Sequence, residues 1–134
     1  MKAIFDTVSH KTSKLVTNEY STSFSLATKM LGKSIRQDIY NIYGFVRFAD
    51  EIVDSFHDYD KEFLFQDFEK QLSDALVNKL SLNPILNAFQ ETVHRYDISR
   101  ENIEAFMKSM HQDLTKKEYT TQKEYEDYIY GSAD

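Results

Sequence analysis

Ile42-Tyr43-Gly44-Phe45-Val46-Arg47-Phe48-Ala49-Asp50-Glu51-Ile52-Val53-Asp54 is the stretch that decides the fold. On a 3.6-residue period, Ile42, Phe45, Phe48, Ala49, Ile52 and, further on, Phe56 fall on one side. Tyr43, Val46, Arg47, Asp50, Val53 and Asp54 fall on the other. A surface helix would be freely polar there, yet large apolar residues border a narrow charged stripe. A helix that is apolar almost all round is internal, and charges on an internal helix need a partner or a metal. The stripe is therefore expected to face a cavity.

Asp50 and Asp54 stand four apart, which puts their Cβ atoms roughly 5–6 Å from each other on one helix face. Two like charges at that spacing repel, and a divalent cation relieves the repulsion. A pair of carboxylates together with substrate phosphates is the usual ligand set of Mg²⁺. Arg47, one turn before Asp50, offers a planar fork suited to phosphate oxygens. Glu51 points about 100° away and is expected to stay outside the site. A plain solvated pair between Arg47 and Asp50, worth a few tenths of a kcal/mol, is the competing reading.

Outward from this segment the chain divides into helical blocks. One is expected over residues 6–31, with a break near residues 20–25 where Ser and Thr compete for backbone hydrogen bonds. Gly32 reads as a C-cap and Ser34 as the N-cap of the helix over residues 34–56. Residues 58–60 open a block whose apolar positions are Phe63, Leu64, Phe68, Leu72, Leu76 and Leu80. Asn83-Pro84 starts another, carrying Ile85, Leu86, Phe89, Val93 and Tyr96. Residues 99–102 start the next, with Ile103, Phe106, Met107, Met110 and Leu114. Thr120-Thr121 precedes a last one with Tyr125, Tyr128 and Ile129.

Composition agrees with an all-α chain. Three Gly and one Pro in 134 residues fall far below the roughly 12% of average usage, too few for the turns of a sandwich, a barrel or a doubly wound sheet. With 41% hydrophobic and 28% charged residues the chain can bury a core, and its length allows one domain, residues 1–134. A formal charge of −6 with scattered Lys and Arg argues against a nucleic-acid partner. No Cys is present, which removes disulfides, thiolate metal sites and Cys nucleophiles together. With no signal-like stretch and no apolar run of about 18 residues, the expected location is the cytoplasm. His94 and His111 have no ligand partner at helical spacing and read as structural or surface residues.

These residues resemble the squalene/phytoene synthase family, the all-α enzymes that condense prenyl diphosphates head to head. Tyr20-Ser21-Thr22-Ser23-Phe24-Ser25 is similar to the family's Ser-x-Ser-Phe segment. Residues 42–54 are similar to its Tyr-x-x-x-Arg-x-x-Asp-x-x-x-Asp signature. Met110-His111-Gln112-Asp113-Leu114 and the Tyr-rich residues 125–133 are weaker matches, in the right order. The resemblance implies an isoprenoid-synthase-type helical bundle, of which this chain would be the N-terminal half.

It also implies roles. Asp50 and Asp54 would hold Mg²⁺ on the substrate diphosphate, Arg47 and Ser21 would bind diphosphate oxygens, and Tyr43 would sit in the reacting zone. Phe24 would face the allylic cation, while Ser23, Asp113 and Tyr128 match further substrate-binding positions; Ser23 reads equally well as an N-cap. The product would be squalene, dehydrosqualene or phytoene, and NADPH would be needed only for squalene. Prenyl diphosphates are the expected partners, with peripheral association at a membrane surface.

The family's second Asp-rich motif has no counterpart after Asp113. The isolated chain is therefore expected to be inactive or nearly so, and unpartnered apolar faces are expected to drive oligomerisation or element swapping. The acidic segment also resembles the box of head-to-tail synthases and terpene cyclases, but Tyr43, Arg47 and the upstream Ser-Phe segment favour the first reading. A non-catalytic helical protein that binds lipid or serves assembly is the alternative from another class.

Overall fold

A computed structural model describes residues 1–21 and 32–129, with side chains described outside residues 33–34 and 117–129. Among the described residues there are five helices and no strand: α1 Lys2–Tyr20, α2 Lys33–Asp54, α3 Lys61–Asn78, α4 Pro84–Tyr96 and α5 Arg100–Ile129. The all-α expectation holds. Local chemistry sets most of the boundaries. Asp60 caps α3 by accepting the Phe63 amide at 3.1 Å. Asn83 caps α4 by accepting the amides of Ile85 and Leu86 at 3.1 and 3.3 Å, with Pro84 in the first turn where its missing N–H costs nothing. Both helices stop on a residue in the left-handed region, Lys79 at φ 57° and Asp97 at φ 50°.

Several boundaries differ from the sequence reading. Gly32 is the N-cap of α2, which begins at Lys33, so Ser34 lies inside the helix. α2 ends at Asp54, and Phe56 sits beyond it at φ 57°, 40% exposed. α5 runs unbroken through Thr120-Thr121. Two threonines cost a helix well under 2 kcal/mol in propensity, and no Gly or Pro interrupts residues 85–130. The break expected near residues 20–25 begins where α1 ends at Tyr20; residues 22–31 lie outside the described part.

The core is organised around Phe45 of α2. Its ring stacks on Phe89 of α4 with centroids 4.0 Å apart, and lies 5.9 Å from Phe68 of α3 and 5.5 Å from Phe106 of α5. Ala49, Ile52, Val53, Phe65, Leu72, Ile85, Leu86, Met107 and Leu114 complete it. Leu80 lies beyond the end of α3 and Tyr96 is the last residue of α4, and both are exposed; two further expected core positions are displaced by helical phase. Ile42 is 37% exposed, and α3 turns Phe65 inward while Phe63 is 64% exposed.

α1 is buried through small residues. Ser9, Ser13 and Thr17 are fully buried, and the hydroxyls of Ser9 and Thr17 donate to carbonyls four residues back at 2.9 Å. This lets α1 approach closely, so that a Cβ on Gly44 of α2 would come within 3.2 Å of both Ser13 Oγ and Ile85 Cδ1.

A polar network ties α2 to α4. The buried Asp38 carboxylate accepts from Thr92 Oγ1 at 2.8 Å, Arg95 Nη1 at 2.8 and 3.0 Å, and Tyr96 OH at 3.0 Å. Donating to Asp38 raises the Tyr96 phenol above its ordinary value. Asn41 donates to Thr92 Oγ1 at 3.0 Å and accepts from Gln37 Nε2 at 2.9 Å, and Gln37 also donates to the His10 carbonyl.

Candidate functional site

α2 presents two opposite faces. Phe45, Ala49 and Ile52 point into the core, which leaves Tyr43, Arg47, Asp50 and Asp54 on the far side. Tyr43 is half-buried and Asp54 exposed, while the side chains of Arg47 and Asp50 are 23% and 37% exposed. The stripe expected from the periodicity is therefore real, but it excludes Val53, which is 2% exposed and belongs to the core.

Arg47 is held from two sides. Its Nη2 donates to Glu51 Oε2 at 2.7 Å, while Nη1 lies 3.9 Å from Asp50 Oδ2. The guanidinium carbon stands 4.8 Å over the Tyr20 ring, at the end of α1, a cation–π geometry. Among the described residues, Arg47 Nε is buried without a hydrogen-bond partner.

Glu51 thus contacts Arg47 from the flank of the stripe despite its offset of about 100°. A long Arg side chain reaches a residue on either flank, and i, i+4 pairing is as good as i, i+3. The hydrogen bond from Arg47, and a second from Ser55, hold the Glu51 carboxyl below its ordinary value, and the same pairing raises Arg47 further.

A depressed carboxyl contributes stability that is present above its unfolded value, here 4.5, and is lost as pH falls through the lower folded value. The stability of the chain in urea is expected to decline below that pH, and Glu51→Gln to flatten the decline. A part-buried intrahelical pair of this kind is worth on the order of 1 kcal/mol, so the variant should fold; an unchanged acid limb would mean that Glu51 does not contribute.

The other residues singled out in the sequence are distributed as follows. Ser21 is the half-buried C-cap of α1 in an extended conformation, its amide donating to the Thr17 carbonyl at 2.9 Å. It is adjacent in sequence to Tyr20, which the sequence reading did not single out and which reaches Arg47. Ser23 and Phe24, and the side chain of Tyr128, lie outside the described residues. Asp113 is exposed on α5. His111, two residues before it, turns toward α3, where it meets Glu62 at 2.7 Å and the Phe65 ring at 5.2 Å. His94 contacts Gln90 and the Leu76 carbonyl. Both histidines are structural, as read from their spacing.

A cleft of about 460 Å³ lies between α3 and α5, with Phe65, Leu72, Ile103 and Met107 among its lining residues; none of Tyr43, Arg47, Asp50 and Asp54 lines it. Among the described residues no group of three or more His, Cys, Asp or Glu side chains is gathered for a metal. Mg²⁺ is commonly held by one or two carboxylates with water and phosphate as its other ligands, rather than by a closed all-protein cage. Among the described residues, no helix is long and apolar enough to cross a membrane.

The described part of the chain is thus an all-α bundle with an acidic pair and a pinned arginine on one face of α2. The squalene/phytoene synthase family model matches residues 17–134. The chain belongs to that family. No curated protein matches it.

Proposed function

We propose that this chain captures the diphosphate of a prenyl diphosphate on the α2 stripe, as part of a head-to-head condensation of two such substrates. The carrying observation is Arg47: a guanidinium fixed by Glu51 and Tyr20, with a buried Nε donor that has no partner among the described residues. A buried donor left unmade costs about 1–3 kcal/mol, and a phosphate oxygen satisfies it.

Asp50 and Asp54 would hold Mg²⁺, which when bound stabilises negative charge on a leaving diphosphate. Arg47 donates to the oxygens that gain charge as the C1–O bond breaks and its electron pair leaves with the diphosphate. Glu51 keeps the guanidinium oriented during that change. Tyr43, half-buried on the same face, is carried into this reading from the family resemblance as a residue of the reacting zone. Ser21, Ser23, Phe24, Asp113 and Tyr128 are carried into this reading as substrate contacts from the family resemblance, and NADPH enters only if the product is squalene.

The test is calorimetric titration of the chain with inorganic diphosphate, with and without Mg²⁺. Binding is expected to require Mg²⁺, and Asp50→Asn with Asp54→Asn is expected to weaken it at least about tenfold, or 1.4 kcal/mol. Both residues are surface-accessible, so the double variant should keep its fold by circular dichroism. Equal binding by both chains would favour a non-catalytic scaffold.

A further inference from the structure

Lys61 is the first residue of α3, and only 7% of it is exposed. Lysine is almost never buried to that extent without a dedicated partner. A cation in the first turn of a helix also stands at the wrong end of that helix's own dipole, so α3 does not account for it. α2 does. Lys61 Nζ donates to the Val53 carbonyl at 2.6 Å and lies 3.4 Å from His57 Nδ1.

The last four carbonyls of a helix lack intrahelical donors. In α2 the Glu51 carbonyl receives the Ser55 amide at 2.8 Å, and Val53 receives Lys61. A positive side chain at a helix C-terminus is favourable both as a donor and toward the dipole. The connecting segment is shaped to bring it back. Phe56 adopts φ 57°, its carbonyl accepts the Tyr59 amide at 3.0 Å, and the two rings meet edge-on at 6.2 Å.

We propose that Lys61 is a positioning residue for the α2 acidic pair: by holding the Val53 carbonyl it keeps the final turn helical, and with it Asp54 in phase with Asp50. The inference rests on the functional reading above. It assigns a role to a residue that lies seven positions beyond the second carboxylate and carries no motif of its own.

Two readouts test it on the full chain. Hydrogen exchange at the amides of residues 53–55 reports the clamp, and the Mg²⁺ concentration giving half-maximal binding of inorganic diphosphate reports its effect on the acidic pair. Lys61→Met is expected to speed exchange at those amides at least about tenfold and to raise the Mg²⁺ half-point at least about threefold. Lys61→Arg, which keeps charge and donor, should recover most of both. Should the methionine variant fail to fold, Lys61→Gln carries the same readouts. Faster exchange or a lower melting temperature with an unchanged Mg²⁺ half-point would overturn the proposal and leave Lys61 a structural staple. Absence of Mg²⁺-dependent binding in the unsubstituted chain would overturn the functional reading first, and this one with it.

Discussion

Phe45→Ala is expected to destabilise the chain by about 3–5 kcal/mol, measured as a shift of the urea midpoint. The ring is 3% exposed and touches aromatic partners from three other helices, at centroid distances of 4.0, 5.5 and 5.9 Å. Its removal empties the point where α2, α3, α4 and α5 meet, and the three rings around it cannot collapse inward without moving a helix. Domains commonly have only about 5–15 kcal/mol to lose, so partial unfolding at room temperature is within reach. Phe63→Ala is the matched control. That ring is 64% exposed, and its loss should change stability by no more than about 0.5 kcal/mol. A comparable penalty at both positions would mean that α3 packs through the other face.

Arg47→Lys is expected to reduce Mg²⁺-dependent binding of inorganic diphosphate about 10- to 100-fold, while Arg47→Met reduces it at least as far. A charge-assisted hydrogen bond is worth about 1.5–3 kcal/mol, and each 1.4 kcal/mol is a factor of ten. Lysine preserves the charge and loses the planar fork. It cannot satisfy Glu51 while presenting a second donor in the position of the buried Nε. Titration calorimetry measures the change, and wild-type affinity in the lysine variant would show that charge alone is recognised. Neither substitution should unfold the chain, because the Arg47–Glu51 pair is a part-buried intrahelical one worth little.

Much of this architecture was legible in the sequence because the responsible chemistry is local. Asp60 and Asn83-Pro84 announce helix starts that the structure confirms through side-chain-to-amide bonds. The stripe of Tyr43, Arg47, Asp50 and Asp54 follows from periodicity alone.

What escaped depended on contacts between segments distant in sequence. α1 packs through Ser9, Ser13 and Thr17, which a search for large apolar residues passes over. Phe63 and Phe65 are two apart and equally apolar, so only the neighbouring helices decide which one turns inward. Tyr20 reaches Arg47 across 27 positions, and Lys61 returns to Val53 through a left-handed residue that no local propensity announces. The Arg47–Glu51 pair escaped for a different reason: the angular offset of a Cα says little about where a long guanidinium comes to rest.

The buried Asp38 carboxylate, held by Thr92, Arg95 and Tyr96, has a consequence for registry. Helices packed by apolar ridges alone can slip by a notch, because the ridges repeat every three or four residues. A carboxylate with four contacts on one partner resists this, since a shift of one turn, about 5.4 Å, would break them and leave a buried charge unpaired. Asp38 therefore acts as an index mark between α2 and α4. It sets the rotational phase of the helix three turns ahead of the acidic pair, so that when Phe45 faces inward Asp50 and Asp54 must face out.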